Sequence, residues 1–331
     1  MNLSPKTYLI TGGAGFIGSN IARTLAEKGE NVRILDNFFS GKRENLEHMA
    51  NHPSFEMVEG DIRNMETCRE VVRGVDYVLH HAALASVPLS VQDPALANDN
   101  NITGTLNMLI AARDAGIKRF VFASSTAVYG DTRSEGLIAG DREKASPATE
   151  TMKAAPLSPY AVGKLAGEAY CGIFYKLYGL ETIAFRYFNV FGPRQDPASE
   201  YAAVIPRFID ALLSENRPVI YGDGEQSRDF IYIDDIIQAN LLACTASATA
   251  AGKTFNIASG NRVTINTLLD ELKSILDIHS TPIYKEARPG DIRHSWADTS
   301  LARQILGFKP ASSFRDGLTQ TVAWFKKGKE K

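Results

Sequence analysis

Tyr160 and Lys164 stand four residues apart at the start of a segment with helical periodicity, a spacing that brings both side chains to one helical face. A tyrosine phenol ordinarily titrates near 10, and an adjacent ammonium favours the phenolate and makes it a usable base. Ser124, Ser125 and Thr126 close an apolar run, which puts their hydroxyls at the carboxyl end of a strand, where they can bond a sugar oxygen and relay its proton. Far upstream, Gly12, Gly15 and Gly18 are spaced G-x-x-G-x-x-G behind another apolar run. Glycine there allows a tight turn and close approach of backbone N–H groups to a pyrophosphate, at a helix start that favours the anion. About 20 residues on, a second run ends at Asp36, placed to accept from the ribose hydroxyls of a dinucleotide. A carboxylate at that point repels a 2′-phosphate and selects NAD over NADP, although Lys42 and Arg43 follow closely. Asp61 and Ile62, ending a third run, suit the adenine edge.

Such groups need a sheet to hold them. Tyr8–Thr11, Val32–Asp36, Phe55–Gly60, Tyr77–His81, Phe120–Ser124 and Thr182–Tyr187 read as buried strands, and Phe16–Lys28, Met65–Arg73, Pro94–Ala115 and Tyr160–Tyr178 as helices. The alternation predicts an α/β fold, a doubly wound parallel (Rossmann) sheet with ligands beyond the carboxyl ends of its strands. Residues 1–190 are expected to form that dinucleotide-binding domain, with later segments such as 228–260 returning to it and Thr254–Ala258 adding a strand. Residues 191–331, rich in Gly and Pro turns, are expected to form mainly a smaller C-terminal α/β lobe.

Composition narrows the function classes. The 331 residues are 44% hydrophobic and 22% charged, enough for a large core. Lys and Arg number 36 against 38 Asp and Glu, so no electrostatic footprint exists for nucleic acid or an anionic membrane. Cys68, Cys171 and Cys244 are far apart and odd in number, which suits neither a disulfide framework nor a thiolate metal site. No apolar run reaches about 18 residues, and Met1–Lys6 carries no leader pattern. A cytoplasmic protein without a metal is the expectation.

Taken together, the motifs resemble those of the extended short-chain dehydrogenase/reductases and, within them, the nucleotide-sugar 4-epimerases of the UDP-hexose type. The resemblance spans nearly the whole chain: the glycine loop, Asp36-Asn37, Gly60-Asp61-Ile62, His81-Ala82-Ala83, Asn101-Ile102-Thr103-Gly104-Thr105, the serine strand and the Tyr/Lys pair. It continues through Arg186 to Gly192, Ser227-Arg228-Asp229-Phe230 and Arg288-Pro289-Gly290-Asp291. It implies Tyr160 as base, Lys164 as its modulator and Ser125 as the hydroxyl partner, with Thr126 assisting. It also implies NAD contacts from Gly12, Gly15, Phe16, Ile17, Gly18, Asp36, Asn37, Asp61, Ile62, Ala82, Ala83, Asn101, Tyr160, Lys164 and Tyr187. A UDP-sugar is the implied substrate, its diphosphate held by Asn189, Arg228 and Arg288, and a homodimer through a four-helix bundle of Pro94–Ala115 and Tyr160–Tyr178 the implied assembly.

Related dehydratases carry an Asp-Glu pair, and decarboxylases a Glu, where this chain has Thr126 and Ala127, which disfavours both reactions and leaves epimerisation. Ser295 stands where some strict UDP-glucose epimerases have a tyrosine, so the resemblance implies room for an N-acetylated sugar, UDP-N-acetylglucosamine converted to UDP-N-acetylgalactosamine, alongside UDP-glucose. Epimerisation of UDP-glucuronic acid is the near alternative, with Ser86, Arg194 or Arg293 as candidate partners of its carboxylate. A non-catalytic nucleotide-sugar binder is the alternative of another class; it needs none of Ser125, Tyr160 and Lys164.

Overall fold

Strands that are apolar on both faces are satisfied only inside a parallel sheet covered by helices, and the chain builds one. The computed structural model describes residues 4–130, 146–197, 203–287 and 292–329. The first half runs β1 (Thr7–Thr11), α1 (Phe16–Glu27), β2 (Asn31–Asp36), β3 (Phe55–Glu59), α2 (Met65–Val71) and β4 (Tyr77–His80). Next come α3 (Val87–Gln92), α4 (Pro94–Asn98), α5 (Thr105–Asp114), β5 (Arg119–Ser125), α6 (Pro159–Tyr178) and β6 (Thr182–Tyr187).

Beyond β6 the elements shorten: β7 (Asn189–Phe191), α7 (Val204–Leu213), β8 (Val219–Tyr221), β9 (Ser227–Arg228), β10 (Phe230–Tyr232) and α8 (Ile233–Thr245). They are followed by β11 (Lys253–Ile257), β12 (Val263–Thr264), α9 (Ile265–Leu276), β13 (Ile283–Lys285), β14 (His294–Ser295), α10 (Ser300–Leu306) and α11 (Phe314–Lys329).

Seven strands form one sheet in the order β11-β6-β5-β4-β1-β2-β3, all parallel. Lys253–Ile257 therefore returns to the sheet beside β6, as the Thr254–Ala258 run implied. Phe120, Phe122, Phe185 and Phe255 fill the space between sheet and helices, each fully buried. Between β1 and β4 the winding direction reverses, which opens a crevice at their carboxyl ends.

Two elements differ from the sequence reading. β3 is an edge strand, with Glu56, Met57 and Glu59 exposed, so its apolar residues did not mark burial on both faces. The helix expected over Pro94–Ala115 is interrupted at Asp99–Gly104 by a π-helical stretch between α4 and α5. That wider turn places Asn101 inward, where its side chain accepts from Leu84 N at 2.8 Å and donates to Leu84 O at 3.2 Å, bonds a regular helix pattern does not foretell.

The C-terminal lobe brings distant residues together by short pairings. β9 lies between β12 and β14, with Ser295 in register opposite Arg228, and β7 pairs with β10, placing Asn189 opposite Phe230. No described helix is long and apolar enough to cross a membrane.

Candidate active site

Tyr160 is positioned by the start of its helix. Ser158 caps α6 by accepting from Ala161 N at 3.2 Å, and Pro159 takes the first helical position, where its fixed φ and missing N–H cost nothing. The Tyr160 N–H donates to the buried Ser90 hydroxyl at 3.1 Å. One turn on, the Lys164 ammonium donates to the Ala123 carbonyl at 2.6 Å and lies 5.8 Å from the centre of the Tyr160 ring. Burial lowers Lys164 to about 8, with Glu168 acting the other way. Burial also raises the Tyr160 phenol above its ordinary value, while a hydrogen bond with Ser125 lowers it. Ser125 ends β5, and its hydroxyl accepts from Ala127 N at 3.1 Å.

The three residues stand at one end of a cleft of 840 Å³ that runs to the glycine loop. Gly12, Gly15, Phe16, Ile17, Gly18, Asp36, Asn37, Ile62, Ala82, Ala83 and Tyr187 line it with Ser125, Tyr160 and Lys164. Gly12 has φ +68°, and a Cβ there would stand 2.7 Å from Ala82 N; at Gly18 it would stand 2.4 Å from Gly12 O. A side chain at either place would collide with backbone, at Gly12 that of His81 and Ala82 after β4 and at Gly18 that of the glycine loop itself. Gly15 caps α1 with no side-chain hydrogen bond, leaving the first-turn amides facing the cleft, as a pyrophosphate requires.

Asp36 is buried, which raises its carboxyl above the ordinary value, and it accepts from Ala14 N at 2.9 Å and Phe38 N at 2.8 Å. The two cations that follow it face carboxylates. Lys42 pairs with Asp196 at 2.7 Å, and Arg43 with Glu59 at 2.5 Å, so neither stands uncompensated for a 2′-phosphate. These residues fit NAD.

Other expected contacts lie further back. Asp61 is held to about 2 by the Arg63 guanidinium and accepts from Asn37 Nδ2 at 2.9 Å, so it positions Asn37 while Ile62 lines the cleft. Asn101 holds both the backbone N–H and the carbonyl of Leu84, and Leu84 rather than Asn101 lines the cleft. His81, Lys42, Gln195 and Asp196 also line it, though the sequence reading gave them no role there. His81 stacks on Tyr187, with ring centres 6.0 Å apart and planes within 5°, and burial holds it neutral, near 3. Its place directly after a strand that ends beside the glycine loop was the signal for it.

A pocket of 330 Å³ adjoins Ser125 and is lined by Thr126, Ala127, Tyr129, Ser146, Asn189, Arg228, His294, Ser295 and Trp296 among others. None of its described lining residues is an Asp or Glu. A further cavity of 460 Å³ continues past Asn189 and Arg228 to α7, β8 and the start of α9. Asp229 organises this region. Its carbonyl accepts from Asn189 N at 3.0 Å and Asn189 Nδ2 at 3.2 Å, and its N–H donates to Ser295 O at 2.9 Å. Its carboxylate accepts from Ser259 N, Ser259 Oγ, Gly260 N and Ala297 N. Ser86 caps α3, accepting from Leu89 N at 3.1 Å, and is absent from the pocket lining. Arg288 lies outside the described residues.

The profile described as the NAD dependent epimerase/dehydratase family matches residues 8–258. A putative UDP-glucose 4-epimerase of Methanocaldococcus jannaschii is 38% identical over 320 residues, covering 96% of this chain and 98% of its own. Among solved structures, a UDP-N-acetylglucosamine 4-epimerase from Methanobrevibacter ruminantium in complex with UDP-N-acetylmuramic acid superposes with a TM-score of 0.90 at 42% identity, covering 98% of this chain and 100% of that one. A UDP-glucuronic acid 4-epimerase from Bacillus cereus, in complex with UDP-glucuronic acid and NAD, gives 0.86 at 30% identity over 97% and 99%.

Proposed function

The chain belongs to the NAD dependent epimerase/dehydratase family, and on that premise we propose that it is a 4-epimerase interconverting UDP-N-acetylglucosamine and UDP-N-acetylgalactosamine, with UDP-glucose and UDP-galactose as further substrates. The observation that carries this reading is the junction itself. Ser125, Tyr160 and Lys164 stand where the dinucleotide cleft meets a pocket that has a small residue, Ser295, and no described carboxylate in its wall. The 42% identity to a UDP-N-acetylglucosamine 4-epimerase supports it.

NAD supplies the hydride acceptor for the first half-reaction and the donor for the second. Tyr160, with Ser125 as relay, takes the proton from the sugar O4 as C4 loses hydride. Lys164 stabilises the phenolate by its charge. Asn189, Arg228 and Arg288 hold the diphosphate, and a guanidinium suits that anion by its fork of donors. The 4-keto sugar is left loosely held in the pocket, so it turns over about its phosphate linkage before hydride returns to the opposite face and Tyr160 gives the proton back. A cofactor that left the cycle as it entered would need no exchange, and the residues lining the cleft would retain it.

Two rival outcomes find little support. Elimination or decarboxylation calls for a carboxyl group where Thr126 and Ala127 stand. A uronate calls for a hydrogen-bonding or cationic partner for its carboxylate, yet of the three expected ones Ser86 caps α3, Arg293 is paired with Asp223 at 2.7 Å and Arg194 donates to Asn20 at 2.8 Å on the dinucleotide side. For assembly, we favour a homodimer over the outer face of α6, where Val162, Ile173 and Leu177 are exposed; sedimentation of the purified protein tests it. For the reaction, purified protein with no added cofactor is offered UDP-N-acetylglucosamine, UDP-glucose and UDP-glucuronic acid separately. Preferred conversion of the first supports the assignment. Conversion of the uronate alone discards it.

A further inference from the structure

Glu168 occupies the turn of α6 after Lys164, so Tyr160, Lys164 and Glu168 follow one another at four-residue intervals along one face. Its carboxylate is buried and engaged on both oxygens. Arg186 of β6 donates to it from Nε at 3.0 Å and from Nη2 at 2.7 Å, and the Ser124 hydroxyl donates to it at 2.5 Å. Each partner adjoins a residue of the site, Ser124 next to Ser125 and Arg186 next to Tyr187. The Arg186 guanidinium also lies 4.6 Å from the centre of the Tyr129 ring, and the Tyr129 hydroxyl donates to Asn256 of β11 at 2.6 Å. Glu168 thus ties α6 to β5 and β6, and Tyr129 carries the connection from Arg186 on to β11.

A buried ion pair seldom stabilises a fold more than well-packed apolar residues do. Its position beside a buried lysine suggests what it is for. We propose that Glu168 is a positioning residue for the reaction: balanced by Arg186, its carboxylate keeps the Lys164 ammonium charged beside the Tyr160 phenol and holds the end of β5 so that Ser125 meets the same phenol. The inference deepens the reading of Tyr160 and Lys164 given above and rests on it.

The groups facing Lys164 come from three elements. α6 contributes Tyr160 and Glu168, β4 ends in His80 with His81 directly after it, and β5 contributes the Ala123 carbonyl and the Phe122 ring, whose centre is 5.1 Å from the ammonium. Burial keeps both histidines neutral and opposes ionisation of the Tyr160 phenol until the reaction calls for its phenolate. Glu168 is therefore the one anion in that described set, with the Arg186 cation behind it. Replacing Glu168 by Gln removes the anion and uncovers the cation, and both changes drive the Lys164 proton off. Replacing Arg186 as well removes the uncovered cation and reverses part of that effect.

The test follows Lys164 directly in the holoenzyme. Protein labelled with ¹³C-lysine is titrated by NMR, with the Lys164 signal identified by its absence from Lys164→Met. Glu168→Gln should lower the midpoint by about one pH unit. The Glu168→Gln/Arg186→Gln double variant should recover part of the shift, and Glu168→Asp, which keeps the charge, should stay level with wild type. The pH profile of UDP-N-acetylglucosamine turnover should slide with the midpoint, whereas a merely structural role would lower its height without moving it. An unmoved midpoint in Glu168→Gln, or a further fall in the double variant, overturns the proposal. If Glu168→Gln does not fold, equal midpoints in the double variant and wild type overturn it. A wild-type holoenzyme that turns over no UDP-sugar sinks the functional reading, while the NMR midpoints still decide the role of Glu168.

Discussion

The Lys164 ammonium lies 5.8 Å from the centre of the Tyr160 ring, one turn along the same helix, with the Ala123 carbonyl fixing it from the sheet. The arrangement gives Tyr160 a cationic neighbour in a site where burial otherwise raises its phenol. Tyr160→Phe should therefore lower turnover by about 10²- to 10⁴-fold, the usual worth of a general base. Bound NAD, read from the absorbance and chromatography of denatured protein, should stay at the wild-type level. Turnover within a few-fold of wild type would remove Tyr160 from the chemistry.

Ser295 lines the pocket beside Ser125, opposite Arg228 in register, where the proposed reaction seats the sugar. Ser295→Tyr should fill the space needed by a 2-acetamido group, an overpacking cost of about 1–3 kcal/mol, or roughly 5- to 150-fold. The loss should fall on UDP-N-acetylglucosamine and spare UDP-glucose. Equal losses on the two substrates, measured as kcat/KM, would deny Ser295 a gating role.

Asp229 carries a pH dependence. Burial raises its carboxyl to about 6, against hydrogen bonds that lower it. Since that lies above the ordinary 3.8, its contribution to stability is present in full below the ordinary value and is lost as pH rises through about 6. The substrate pocket responds the other way. Protonation sets an O–H against the Gly260 and Ala297 amides and loosens the segment that carries Ser295. KM for the UDP-sugar should rise as pH falls through about 6, with kcat changing less, and Asp229→Asn should show the acid KM throughout. A flat KM across that range in wild type would count against the role.

Lys42 and Asp196 join opposite walls of the dinucleotide cleft. Both are partly exposed, so the bridge is worth about 1 kcal/mol or less. Lys42→Ala should release NAD about two- to fivefold faster on dilution, and high salt should erase the difference. Identical release rates at low salt would mean that the bridge does not retain the cofactor.

The parts legible in the sequence are those whose chemistry is local. The glycine loop, the strand ending at Asp36 and the Tyr160/Lys164 pair each depend on spacing within one turn or one strand–helix unit. For Asn101 the motif pointed to a cofactor contact, while the structure shows its side chain on the Leu84 backbone beside the cleft, an outcome of the π-helical stretch that spacing alone does not foretell. Glu168 and Asp229 could not be assigned roles from spacing, since their partners come from sequence separations of 18 to 68 residues. β3 read as buried because its apolar residues are those of a strand, while exposure of its outer side follows from its place at the sheet edge.

The most direct measurement follows deuterium. UDP-N-acetylglucosamine carrying deuterium at C4 is incubated with purified holoenzyme and no added cofactor, and the C4 epimer is isolated and examined by NMR and mass spectrometry. Removal and return of hydride within one closed site predicts a product that keeps its deuterium at C4. Product that has exchanged that deuterium for solvent hydrogen would contradict the oxidation, rotation and reduction assigned to Tyr160, Lys164 and bound NAD.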